Sequence, residues 1–121
     1  MHILLADKQV EVRSALRFLL EQELGMRVVG EAAEANALLA QDMATAPDIV
    51  LLDWELPGAQ ATDLLLALRS RCHSTIVIAL SGRPEARRAA LDAGVDAFVS
   101  KGDPPESLLG ILYAVRDGGS T

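Results

Sequence analysis

Short aliphatic runs recur along this chain with stretches of helical period between them, and that alternation restricts the fold more than any other feature. Residues 3–6, 27–32, 49–52, 75–80 and 97–100 are rich in Ile, Val and Leu without strict polar alternation. Strands buried on both faces read this way. Between them apolar positions repeat at three- and four-residue steps: Val12, Ala15, Leu16, Leu19 and Leu20; then Leu38, Leu39 and Met43; then Leu64, Leu65 and Leu68. The fourth set is Ala86, Ala89, Ala90 and Ala93, with Gly94 as its C-cap, and the fifth is Leu108, Ile111, Leu112 and Val115. Breakers fill the gaps: Gly25, Pro47, Pro57-Gly58, Gly82 with Pro84, and Gly102 with Pro104-Pro105.

Five strands alternating with five helices call for a parallel sheet with right-handed crossovers and helices on both faces. The expected fold class is α/β, a doubly wound five-stranded parallel sheet of order 2-1-3-4-5 in a flavodoxin-like three-layer sandwich. A length of 121 residues holds one domain, expected over 1–117, with 118–121 as a frayed end or the start of a linker. The net charge of −6 and only four aromatic residues, Phe18, Trp54, Phe98 and Tyr113, argue against direct nucleic-acid binding. The single cysteine, Cys72, excludes an internal disulfide and fits a reducing cytoplasm. No apolar run approaches membrane-span length, and Asp7 interrupts the segment where a signal peptide would still be apolar. The protein is expected to be cytoplasmic, with no membrane contact.

In an open parallel sheet the ligand crevice lies beyond the carboxyl ends of the strands. Those ends carry Asp7-Lys8, Asp53, Ser81-Gly82 and Lys101. Each residue alone has an ordinary reading: a turn-forming Asp, a loop serine, a solvated lysine. Their joint occurrence on four strand ends does not. Asp53 directly follows Ile-Val-Leu-Leu, where a carboxylate pays for desolvation unless a cation or donor meets it. It is the first candidate for chemistry.

The stretches Ile-Leu-Leu-Ala-Asp-Lys at 3–8, Asp-Ile-Val-Leu-Leu-Asp-Trp-Glu-Leu-Pro-Gly at 48–58, Ile-Val-Ile-Ala-Leu-Ser-Gly at 76–82 and Ala-Gly-Val-Asp-Ala-Phe-Val-Ser-Lys at 93–101 together resemble the receiver domain of two-component response regulators. Lys-Gly-Asp-Pro-Pro-Glu at 101–106 is more similar to the NarL/LuxR-type subclass, whose members usually carry a C-terminal helix-turn-helix DNA-binding domain. The resemblance implies a phospho-accepting switch of a phosphorelay, with transcription regulation as its output. It implies that Asp53 accepts a phosphoryl group from a sensor histidine kinase or a small phosphodonor. It further implies that Lys101 holds the phosphoryl oxygens, that Ser81 moves to hydrogen-bond them, and that Phe98 is an aromatic switch turning inward on activation. Gly82 matches the small residue that leaves access to the phosphate. Magnesium is implied on Asp7, Asp53 and the backbone carbonyl of Glu55, while the side chains of Glu55 and Arg83 fall where receivers tune dephosphorylation. Enzymic chemistry would extend no further than self-phosphorylation and autodephosphorylation.

The sequence departs from that family at Lys8, which stands where receivers usually have a second acid that binds magnesium. Asp7, Asp53, Lys8 and Lys101 sum to zero, so attraction for a divalent cation falls. Two readings of Lys8 stand side by side. In one it points to solvent and a weak magnesium site survives; in the other it pairs with Asp53, replaces the metal and leaves a pseudo-receiver, a phosphorylation-independent interaction module. Gln60-Ala61 and Glu34-Ala35 are smaller departures.

His2 and His73 have no partner at metal-ligand spacing and read as exposed element ends. Trp54 reads as a loop side chain covering the site, and Arg87-Arg88 as a solvated basic pair. Leu109 and Tyr113, four apart on the last helix, suggest a self-association or output surface and a possible homodimer. A flavin carrier is excluded by Ala-Asp-Lys-Gln-Val after the first strand, and no Walker loop, Gly-x-Ser-x-Gly or dinucleotide fingerprint occurs.

Overall fold

The computed structural model describes residues 1–23 and 25–118. The elements follow in the order β1 (His2–Ala6), α1 (Val10–Glu23), β2 (Arg27–Ala32), α2 (Ala35–Thr45), β3 (Ile49–Asp53) and α3 (Ala61–Arg71). They continue with β4 (Ile76–Ser81), a 3-10 turn (Pro84–Ala86), α4 (Arg87–Ala93), β5 (Ala97–Ser100) and α5 (Pro105–Arg116). All strands are parallel and the sheet runs β2-β1-β3-β4-β5. This is the expected doubly wound order. Of the expected 118–121 tail, residues 119–121 lie outside the described residues.

Alternation along each strand divides the core into two layers. Leu4, Ala6, Val50, Leu52, Val77, Ala79 and Phe98 face Leu38 of α2, Leu64, Leu65 and Leu68 of α3, and Ala86 and Ala90. Ile3, Leu5, Ile49, Leu51, Ile78, Leu80 and Val99 face Leu20 of α1 and Leu108 and Leu112 of α5. Each fully buried Leu or Ile contributes about 2 kcal/mol through the water it sheds. In register Leu51 lies between Leu5 and Ile78, so the central strands are apolar on both faces.

Two local features set the loops near the strand ends. Glu34 caps α2, its carboxylate accepting from the amides of Asn36 at 3.0 Å and Ala37 at 2.7 Å. Gly58, at φ +104°, takes a left-handed turn over the start of the same helix, where a Cβ would meet Ala35 Cβ at 3.1 Å. The Glu34-Ala35 pair therefore does the helix-starting work by another chemistry. Gly94 ends α4 at φ +109° as expected, its amide donating to Ala90 and Leu91.

The apolar periodicity misassigns one helix. Met43 is 73 % exposed, and the buried stripe of α2 is Ala35, Leu38 and Asp42. Asp42 takes the core-facing position because Arg71, the last residue of α3, supplies an ion pair to its carboxylate. Arg71 also donates to Thr75 Oγ1 at 2.9 Å. Removing one partner of such a pair strands a charge, at a cost of about 3 kcal/mol, whereas replacing both by apolar groups is close to neutral. Arg71→Ala is therefore expected to lower the urea unfolding free energy by about that amount, and the Asp42→Leu/Arg71→Met double variant to recover most of it.

Candidate phospho-acceptor site

The register of four neighbouring parallel strands brings the sequence candidates to one edge. Asp7 follows β1, Asp53 closes β3, Ser81 closes β4 and Lys101 follows β5. Asp7 and Asp53 flank the point where the strand order reverses, where open α/β sheets place their ligands. Asp7 is 1 % exposed and Asp53 is fully buried.

One oxygen of each carboxylate is held by its own loop. Asp53 Oδ1 accepts the amide of Glu55 at 3.0 Å, and Asp7 Oδ1 accepts the amide of Gln9 at 2.8 Å. The other oxygens share Lys101. Its Nζ lies 2.7 Å from Asp7 Oδ2, outside hydrogen-bonding angles, and 3.5 Å from Asp53 Oδ2. Gln9 Oε1 accepts from the same ammonium at 3.4 Å. Both Oδ2 atoms are buried and carry no hydrogen bond. Such atoms invite a cation.

Ser81 is fully buried and does not donate to Asp53. Its hydroxyl is shared between both carboxylate oxygens of Glu55, each at 2.9 Å, while its oxygen accepts the Arg83 amide at 3.0 Å. The Arg83 guanidinium stands 3.7 Å from Glu55 Oε2. Trp54, next to Asp53 in the chain, is half-buried against the core, and its amide donates to the Leu80 carbonyl at 2.7 Å.

Lys8 is exposed and its side chain makes no hydrogen bond or ion pair among the described residues. It does not make the pair with Asp53 that its position allowed; Lys101 makes that contact instead. Lys8 sits in the bend after β1 and is exposed, while Asp7 beside it is buried. The charges that meet at the site, the buried Asp7 and Asp53 and the partly exposed Lys101, thus sum to −1 rather than zero. The inward position implied for Phe98 on activation is already occupied: the ring is buried, with the Arg87 guanidinium 5.2 Å from its centroid and donating to the Phe98 carbonyl at 3.4 Å. Arg87 is therefore not simply solvated, whereas Arg88 is exposed, its guanidinium 3.9 Å from Asp92 one turn along the same helix. His2 and His73 are exposed, as expected.

An outer layer invisible to motif reading supports Asp7. Arg13 of α1 donates to the Asp7 carbonyl at 2.6 Å and to Glu31 at 2.9 Å, and Arg17 donates to Glu31 at 2.8 Å. Partial burial pushes the Glu31 carboxyl up, but hydrogen bonds from Arg17 and Arg13 outweigh it and hold the group below its ordinary 4.5.

Buried carboxylate oxygens without hydrogen bonds, with the Glu55 carbonyl nearby in the chain, form an all-oxygen donor set of the kind a hard divalent cation takes. It is a lean one. Among the described residues no three His, Cys, Asp or Glu side chains are grouped to hold a metal.

The response regulator receiver domain model matches residues 3–113. The chain belongs to the response regulator receiver domain family. This receiver is 30% identical over 118 residues to the nitrate/nitrite response regulator protein NarL of Escherichia coli, covering 96% of this chain and 55% of NarL. It spans about half the length of the curated relatives it matches. The isolated REC domain of RcsB from Salmonella enterica serovar Typhimurium, solved with phosphomimetic BeF3-, superposes with a TM-score of 0.87 at 26% identity, covering 98% of this chain and 89% of that one. A LuxR-family two-component response regulator from an Aurantimonas species gives 0.86 at 29% identity, covering 97% and 85%. Among the described residues of the receiver no helix is long and apolar enough to cross a membrane.

Two outcomes follow. Lys8→Ala is expected to leave the unfolding free energy within about 0.5 kcal/mol of the parent, because the exposed side chain has no partner among the described residues to lose. Glu31 stabilises the fold above pH 4.5, where the unfolded chain is also ionised, and that contribution is lost as pH falls through the lower folded value. The stability gap between the parent and Glu31→Gln, followed by urea titration, is therefore expected to shrink below pH 4.5.

Proposed function

We propose that this receiver is the phospho-accepting switch of a two-component response regulator, with Asp53 as the acceptor. The observation that carries the reading is Asp53 Oδ2, buried at a strand end, without a hydrogen bond and facing Lys101 at 3.5 Å. A carboxylate so placed is desolvated, oriented and next to a cation that can meet incoming phosphoryl charge.

In the proposed transfer an Asp53 oxygen attacks the phosphorus of a phosphohistidine on a sensor histidine kinase. A P–O bond forms, the P–N bond breaks, and the leaving imidazole takes a proton. Such transfers are governed by positioning and charge neutralisation. Lys101 holds the phosphoryl oxygens, and Ser81 supplies a further hydrogen bond once its hydroxyl turns. Asp7, Asp53 and the Glu55 carbonyl are the residues that would hold magnesium, which supplies charge neutralisation on the transferred group. Affinity for it is weak in this reading, because Lys8 replaces an acid and leaves two carboxylates. The added phosphoryl charge then biases the loops after β4 and β5.

The receiver comprises residues 1–117, acts in the cytoplasm and controls a DNA-binding transcription output; it does not itself bind nucleic acid, and Leu109 and Tyr113 on α5 offer a homodimer surface. The relatives' printed descriptions as response regulators and the acidic composition support this. A second reading, the phosphorylation-independent interaction module, is favoured by Lys8 and by Phe98, whose ring is already buried.

Intact mass after incubation with acetyl phosphate and magnesium separates the two. The expected result is one added phosphoryl group, absent in Asp53→Ala and more abundant in Lys8→Asp. No adduct in the parent, with one gained by Lys8→Asp, would establish the module reading instead.

A further inference from the structure

We propose that the Glu55 side chain is a latch on Ser81, a positioning residue that holds the Ser81 hydroxyl away from Asp53 until a phosphoryl group competes for it. The inference rests on Asp53 as the acceptor and adds a regulatory contact to that site.

A serine hydroxyl has one proton to give. Here it is shared between Glu55 Oε1 and Oε2, both at 2.9 Å, and one lone pair of the same oxygen takes the Arg83 amide at 3.0 Å. Ser81 is fully buried, so water cannot substitute for either partner. A bond to an ionised acceptor is stronger than one between neutral groups. The Ser81 hydroxyl is therefore committed.

Glu55 also reaches the acceptor through its main chain, its amide donating to Asp53 Oδ1 at 3.0 Å. One residue thus touches both the phospho-acceptor and the hydroxyl meant to serve the product. A phosphoryl group on Asp53 brings three strong acceptor oxygens that contend with Glu55 for the single proton. When Ser81 leaves, Glu55 is not stranded. The Arg83 guanidinium, 3.7 Å from Oε2 on a side chain that is 64 % exposed, is free to close on it. The latch can open without leaving a buried charge unpaired, and its strength sets how much phosphoryl binding is needed to turn Ser81.

A double-mutant cycle on the full chain tests this, with Glu55→Ala, Ser81→Ala and the double variant beside the parent. Beryllofluoride with magnesium serves as the phosphoryl mimic, bound ligand being read by fluorine NMR and by Trp54 fluorescence. With Ser81 present, Glu55→Ala is expected to lower the half-saturating concentration about tenfold, the worth of one charge-assisted hydrogen bond. With Ser81→Ala in place, the same substitution should change it by less than about twofold. Glu55→Gln, which keeps a neutral acceptor, falls between. An equal shift in both backgrounds would mean that Glu55 acts through its charge alone, and the latch is rejected. Urea unfolding of the same four proteins reports the contact without any ligand, and strictly additive effects there reject it too. If no variant binds the mimic, including one carrying Lys8→Asp, the acceptor reading itself fails and takes the latch with it; failure of the latch alone leaves binding intact.

Discussion

Asp7 and Asp53 lie side by side at the edge of the sheet with almost no exposure, and one ammonium, that of Lys101, serves both. Two like charges out of water are costly unless a cation is at hand. The lysine comes from the far side of the sheet, beyond β5, so the arrangement exists only while β1, β3, β4 and β5 keep their register. A slip of one residue would turn Asp53 away and put Leu52 in its place. The apolar ladder therefore positions these charges as well as stabilising the fold.

Charges at the opposite edge have a different task. Arg71 with Asp42, and Arg69 with Asp96, Thr75 and Gly94, join α2 and α3 to the entries of β4 and β5. Cys72 lies there as well, its thiol lowered to about 7 by hydrogen bonds from Ser74 and Thr75. These contacts fasten helices to the sheet at its amino edge, while the carboxyl edge carries poorly satisfied groups such as the two Oδ2 atoms.

The strands and their order were legible because an unbroken aliphatic run flanked by breakers has few other solutions, and the polar residues at the ends of those runs marked the site. Pairings across elements were not. Met43 fits the periodicity of α2 better than Asp42 does, and only Arg71, twenty-nine positions away, reverses the choice. Lys8 invited attention because it stands beside Asp7 in the chain, yet in the bend after β1 Asp7 is buried and Lys8 is exposed. The grip of Glu55 on Ser81 and that of the Arg87 guanidinium on the Phe98 ring join side chains 26 and 11 positions apart, separations that carry no motif signal. Motif reading names the participants; which of them are already engaged is a property of three dimensions.

Lys101 also acts as an internal counter-ion. A receiver that carries its own compensating charge offsets part of the cost of burying two acids without borrowing a cation from solution. A chain that lost this lysine would still have two acids to bury, and its folding would become conditional on dissolved cations through mass action. The lysine between the two acids is thus part of what lets the domain fold around them.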